Sequence, residues 1–216
     1  MNTARIFHGL QIFIFASAVA TSEAGVLKPG SAPKKPGQEG IVILSVTQSP
    51  GNAATGFFDI KESWRERRLT PYIGEFFGKR DFTNPPGALW VLELSAGAHR
   101  ITRWGVMYNT GIGGGTFQPR DCPPILFELH AGEILYLGNL QMETSMAKNI
   151  FGLKVLGRGY PAFHDERARD LARFRQQYPA LATHRVDVRL LDFSPWKEFS
   201  GADDNAGGAK SVKPKE

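Results

Sequence analysis

The chain has 216 residues, with 26 Lys and Arg against 21 Asp and Glu and a net charge of +5 at neutral pH. Its single cysteine, Cys122, excludes an intramolecular disulfide, so stability has to come from an apolar core. A basic balance suits nucleic acid, a polyanionic surface or plain solubility, and the N-terminus makes nucleic acid the poorest of the three.

Met1 to Arg5 carries one positive side chain, and Ile6 to Ala20 is largely apolar. Small residues at Ser22 and Ala24 then give a Ser-x-Ala end. This is the layout of a secretory signal peptide over residues 1–24, cleaved near Ala24. The run is short for a spanning helix, which needs roughly 20 apolar residues, and His8, Gly9 and Gln11 interrupt it. No later segment is apolar enough to span a bilayer. The expected product is a periplasmic or secreted protein with no transmembrane segment, and its net charge stays at +5 because Arg5 and Glu23 leave together.

Residues 25–40, rich in Pro, Gly and Lys, read as a flexible linker. Ile41 to Val46 is continuous and β-branched, the pattern of a buried strand, and Phe57 to Lys61 is a candidate neighbour. Glu62 to Pro86, with Trp64, Phe76, Phe77 and Phe82, reads as a long connection held down by aromatics. Leu89 to Leu94 is apolar on both faces and belongs inside a sheet.

Two phrases then echo each other: Leu92-Glu93-Leu94-Ser95-Ala96-Gly97 and Phe127-Glu128-Leu129-His130-Ala131-Gly132. Each joins two alternating runs through a glycine, which predicts two β-hairpins with φ > 0 at Gly97 and Gly132. Phe151-x-Leu153-x-Val155 predicts a further strand. One helix is expected near residues 165–178, with Asp165 as N-cap, Ala168, Leu171, Phe174 and Tyr178 at helical spacing, and Pro179 as the stop. Val186 to Leu190 alternates again. The fold class these imply is mostly β: an antiparallel β-sandwich of about seven or eight strands with one helix, spanning residues 41–199. A disordered tail is expected over residues 200–216.

The phrase Phe127 to Leu140 (FELHAGEILYLGNL) resembles the F-x-V-x-P-G-x-x-x-Y-L-G-N-F strand pair of an uncharacterised group of exported bacterial proteins. His164-Asp165-x-x-x-x-Asp170-Leu171, ending in Tyr178-Pro179, resembles that group's D-x-x-x-R-D-L…Y-P helix. Ala96 and His99 depart from its first hairpin, where proline and tyrosine are usual. The resemblance covers roughly Leu89 to Pro179. It implies a likeness to prealbumin-like or carboxypeptidase-regulatory-like β-sandwiches, usually binding or spacer modules, and it carries no catalytic residue and no cofactor.

The chemistry legible in the residues is sparse. Gly111 to Thr116 is glycine-rich but lacks the lysine of a P-loop and any following helix. Cys122 precedes Pro123, which has no N–H to serve an oxyanion. His8, His99, His130, His164 and His184 fall in no zinc-ligand spacing, although His99 and His130 would converge if the two hairpins stacked at one end. Glu93 and Glu128 alternate away from the apolar faces and read as surface positions. The helix carries Arg167, Arg169, Arg173 and Arg175 on a solvated face. Trp104 and Trp196, beside turns, are the candidates for a sugar-stacking platform. The expected function is a non-catalytic binding or interaction module of the bacterial cell envelope, using the loop end Gly111 to Pro124 to meet an envelope protein or anionic envelope component. Two further expectations are a carbohydrate- or small-ligand-binding module using Trp104, and a metal-dependent enzyme using His99 and His130.

Overall fold

Runs of β-branched and aromatic residues that are apolar on both faces form strands covered on both sides. In the computed structural model, which describes residues 25–35, 37–49, 54–62, 65–73, 79–109 and 114–199, two such runs lie side by side. They are β1 (Glu39–Gln48) and β5 (Pro86–Ser95), antiparallel to each other in the middle of a first sheet. The predicted signal peptide, Trp64, Phe76, Phe77, Gly111 to Gly113 and the C-terminal tail lie outside the described residues.

The first sheet runs β10 (Lys154–His164), β9 (Ile134–Lys148), β1, β5, β4 (Phe82–Thr83), with β11 (Asp187–Val188) also on β9. Its β1–β9 and β9–β11 pairs are parallel, and its other pairs are antiparallel. The second sheet runs β3 (Arg65–Leu69), β2 (Ala54–Glu62), β6 (Gly97–Asn109), β7 (Gly114–Phe117), with β8 (Ile125–Leu129) also on β6. Eight of these strands have five or more residues, and β4, β7 and β11 trim the edges. The result is a mostly-β sandwich with, among the described residues, a single α-helix, α1 (Arg167–Gln177).

Alternation sorts the apolar residues into two layers. Val42, Leu44, Val46, Trp90, Leu92 and Leu94 face the second sheet, where they meet Phe58, Ile60, Ile101, Trp104 and Val106. Ile41, Ile43, Leu89, Val91, Ile134 and Tyr136 face the other way and are covered by Phe174 and Tyr178, with Leu27 and Leu181 beside them. Each fully buried side chain of this size contributes about 1.5–3 kcal/mol. The first sheet is thus buried on both faces, whereas the second is open over part of its outer face, where Arg68 covers the buried Phe57 and Asp59.

The two echoing phrases are not hairpins. Each does make its tight glycine connection, with φ of +130° at Gly97 and +74° at Gly132. But β5 and β6 lie in different sheets, and so do β8 and β9. Both phrases are corners at which the chain crosses the sandwich. The burial pattern gives the reason: β5 is apolar on both faces and fits beneath the helix, whereas β6 exposes Arg100, Thr102 and Arg103 on one side. The corners close around the start of β1, where Ala96 N–H donates to the Gln38 carbonyl and Gly132 N–H to that of Glu39. A Cβ on Gly40 would lie 2.6 Å from the His130 carbonyl oxygen, so glycine is required there.

Within residues 25–40, expected as a flexible linker, the described residues make specific contacts with the sheet and the helix. Val26 bridges Leu92, Leu27 N–H donates to Val91 O, and Gly25 O accepts from Glu93. The buried Leu27 carbonyl takes the Tyr178 hydroxyl at 2.7 Å, and Lys34 N–H donates to the Glu93 carboxylate. Composition shows that this stretch cannot form a core of its own. It does not show that a sheet edge and the helix supply it with partners.

Candidate functional site

The phrases that carry the family resemblance meet in space. The Tyr136 hydroxyl donates to Asp170 Oδ2 at 2.9 Å, and the Ser45 hydroxyl donates to the same oxygen at 2.6 Å. Asn139 Nδ2 donates to Ser45 Oγ at 2.7 Å and to Thr47 Oγ1 at 3.1 Å. Arg169 closes the node, reaching Asp170 Oδ1 at 2.8 Å and lying over the Phe82 ring. Ser45, Thr47, Tyr136, Asn139 and Asp170 are fully buried. Desolvation pushes the Asp170 carboxyl above its ordinary pKa despite these bonds, and it raises the Tyr136 phenol with help from Asp170. No substrate can enter so sealed a node; it fastens α1 to the first sheet. Gly138, at φ +111°, sits in the same phrase, and a Cβ there would overlap the Phe163 ring.

The helix arginines follow the same logic. Arg173 leaves Asp170 to Arg169 and reaches Asp81 at 3.0 Å, so two of the four predicted surface arginines are fasteners. Asp165 lies just outside the helix; Glu166 is the N-cap position, and Asp165 accepts from Arg167 N–H and pairs with the Arg167 side chain.

His99 and His130 do come to the same end of the sandwich, because the corners do. They turn to separate partners. His99 is buried, stacks on Phe127 and contacts the Ser95 carbonyl through Nε2 at 2.8 Å. His130 is exposed and meets Glu133 Oε2 through Nδ1 at 3.1 Å. Among the described residues no three His, Cys, Asp or Glu side chains are grouped to hold a metal. A pocket of about 160 Å³ beside this corner is lined by Glu39, Glu93, Glu133 and His184, among others. Glu93 takes Lys34 N–H and Glu133 takes Arg189, so neither is free. Glu93 is therefore buried, not the surface residue its alternation suggests, while Glu128 is exposed.

The sugar platform does not form. Trp104 is 0% and Trp196 1% exposed; both lie in the core between the sheets. Trp196 stacks on Phe58 and donates Nε1–H to the Pro123 carbonyl at 2.6 Å.

What is open lies on the outer face of the second sheet. β2 and β6 slip register between Asp59 and Ile60, because Thr102 is an extra residue in β6. The bulge lets Ile101 and Trp104 both face the core while Thr102 and Arg103 both face outward. Two core residues three apart within a strand require one extra residue between them. Around the bulge, Asp59 is buried beneath Arg68, which binds both its oxygens at 2.9 and 3.0 Å, and Arg103, at 3.3 Å. Glu66 takes Arg103 and the Thr102 hydroxyl. Beside this network runs a shallow groove of about 440 Å³, lined by Lys61, Glu66, Arg100, Arg103, Cys122 and Pro124, among others.

Two cations in the groove face each other. Arg100 is directly opposite Lys61 on the neighbouring strand, and Lys61 is in turn opposite Glu66 on its other side; among the described residues neither cation makes an ion pair. Like charges at opposed positions destabilise a sheet. Cys122 forms part of the wall. Burial raises its thiol pKa, against the opposing pull of the neighbouring Trp104 indole, so the reactive thiolate is disfavoured.

No family model, curated protein or solved structure matches the chain. The fold and the groove define a class by geometry alone: a mostly-β sandwich with one covered sheet and one open sheet whose outer face is basic.

Proposed function

We propose that the protein is a non-catalytic binding module of the bacterial cell envelope, exported with loss of residues 1–24, that holds an anionic group of an envelope component in the groove on its second sheet. The observation that carries this reading is the Arg100–Lys61 pair. Two opposed cations cost stability when the surface is empty, and a carboxylate or phosphate placed between them relieves that repulsion through charge-assisted hydrogen bonds. Arg103, Thr102 and the Cys122–Pro124 wall border the same space. The wall belongs to the loop end on which the sequence alone places the interaction surface.

The test uses a carboxylated polysaccharide (alginate) and long-chain polyphosphate as probes. Arg100→Glu is expected to weaken binding of one or both by about tenfold or more, the equivalent of losing one charged contact. The same substitution is expected to raise stability by about 0.2–1 kcal/mol, because Glu opposite Lys61 replaces repulsion with attraction. Binding that survives Arg100→Glu, or no binding of either probe by the parent protein, refutes the groove as an anion site.

A further inference from the structure

We infer that the β9–β10 hairpin inserts its tip into an anionic lipid surface. Beyond Met142, where β9 parts from β1, the two strands continue as a ribbon, and Met146 and Leu156 still touch the core. The tip past Lys148 carries Ile150 at 93%, Phe151 at 78% and Leu153 at 42% exposure. These are the two most exposed large apolar side chains among the described residues, with a third two positions on.

The tip is a built turn. Asn149 Oδ1 accepts from the N–H groups of Phe151 and Leu153 at 2.9 and 3.0 Å. Asn149 N–H donates to Leu153 O, Gly152 N–H donates to Asn149 O, and Gly152 supplies a φ of +75°. The apolar side chains are therefore presented with their backbone already ordered, which removes part of the cost of binding.

Charge selects the occupant. From Thr144 to Arg158 the sequence holds Lys148, Lys154 and Arg158 and no acidic residue. Lys148 and Lys154 are register partners at the base of the tip. A convex apolar knob with the exposed Lys148 at its base matches a headgroup layer over acyl chains: the knob enters, and the ammonium group stays with the phosphates. Protein interfaces are depleted in lysine, which argues against a protein pocket as the occupant.

The test is co-sedimentation of the protein, expressed from its full chain, with vesicles of phosphatidylcholine alone or mixed with phosphatidylglycerol. Binding to the mixed vesicles is expected, falling at least about tenfold in the double variant Ile150→Ser/Phe151→Ser and several-fold in Lys148→Gln. Because both apolar side chains are exposed, the thermal midpoint of the double variant should match the parent. Ile150→Ser/Phe151→Ser, which lies on the first sheet and away from the groove, should leave alginate and polyphosphate binding unchanged, so the groove and the tip fail or stand separately. Binding that persists in the double variant, equal binding to phosphatidylcholine alone, no binding at all, or tip-dependent self-association in place of vesicle binding overturns the inference.

Discussion

Asp170→Ala is expected to lower stability by about 3–5 kcal/mol, the range for removing one partner of a buried ion pair. The reason is what remains behind. Tyr136 and Ser45 lose the acceptor of their hydroxyls, and the Arg169 guanidinium loses the carboxylate it closes on. Urea unfolding checks this, and a loss below about 1 kcal/mol would show that the node does not fasten the helix. Asp170→Asn separates shape from charge. Burial holds the Asp170 carboxyl above its unfolded value. The folded state therefore binds the proton more tightly, and stability falls as pH rises from the ordinary carboxylate range through the raised folded value. The parent should lose stability relative to Asp170→Asn across that window and run parallel to it above. The opposite slope would mean that attraction to Arg169 outweighs desolvation.

Trp104→Ala is expected to cost about 3–5 kcal/mol, as for other buried aromatics truncated in a packed core. The indole is fully buried among the residues where β2 and β6 face the first sheet. A change at this position therefore acts on folding and not on a sugar surface. Thermal or urea denaturation of Trp104→Ala, with Trp104→Phe as the milder change, should order the three proteins by the volume removed. A Trp104→Ala protein as stable as the parent would contradict the placement of the indole in the core.

The sequence makes the periodic parts of this molecule easy to read. Ile41 to Val46 and Leu89 to Leu94 are apolar on both faces and become the two central strands. Phe174 and Tyr178 sit at helical spacing and face the sheet. Partnership is harder to read, because a turn signal fixes only the chain nearest to it. Gly97 and Gly132 have the backbone a hairpin would need, yet the strands on either side pair with segments far away in sequence. Residues 25–40 look like a linker because their partners, Val91, Glu93 and Gln177, are remote. The groove follows from the bulge at Thr102, legible only once Ile101 and Trp104 are placed on one face. The buried node could not be inferred from its parts: Ser45, Tyr136, Asn139 and Asp170 are unremarkable polar residues until topology brings them together.

The crossing corners set the order in which this protein can complete itself. Ile41 pairs with Glu93 on one side and with Ile134 on the other, so β1, the first strand among the described residues, is the central one of its sheet and waits for two neighbours that follow it. Loop-closure entropy has to be met before either pairing is rewarded, which slows folding. Meanwhile Ile41 to Val46 is an uncharged, proline-free run of high β propensity with both edges open. The hazard for this chain is therefore one of timing, and it ends only when the β8–β9 corner swings Ile134 to Met142 against β1 and closes the last exposed edge of that strand.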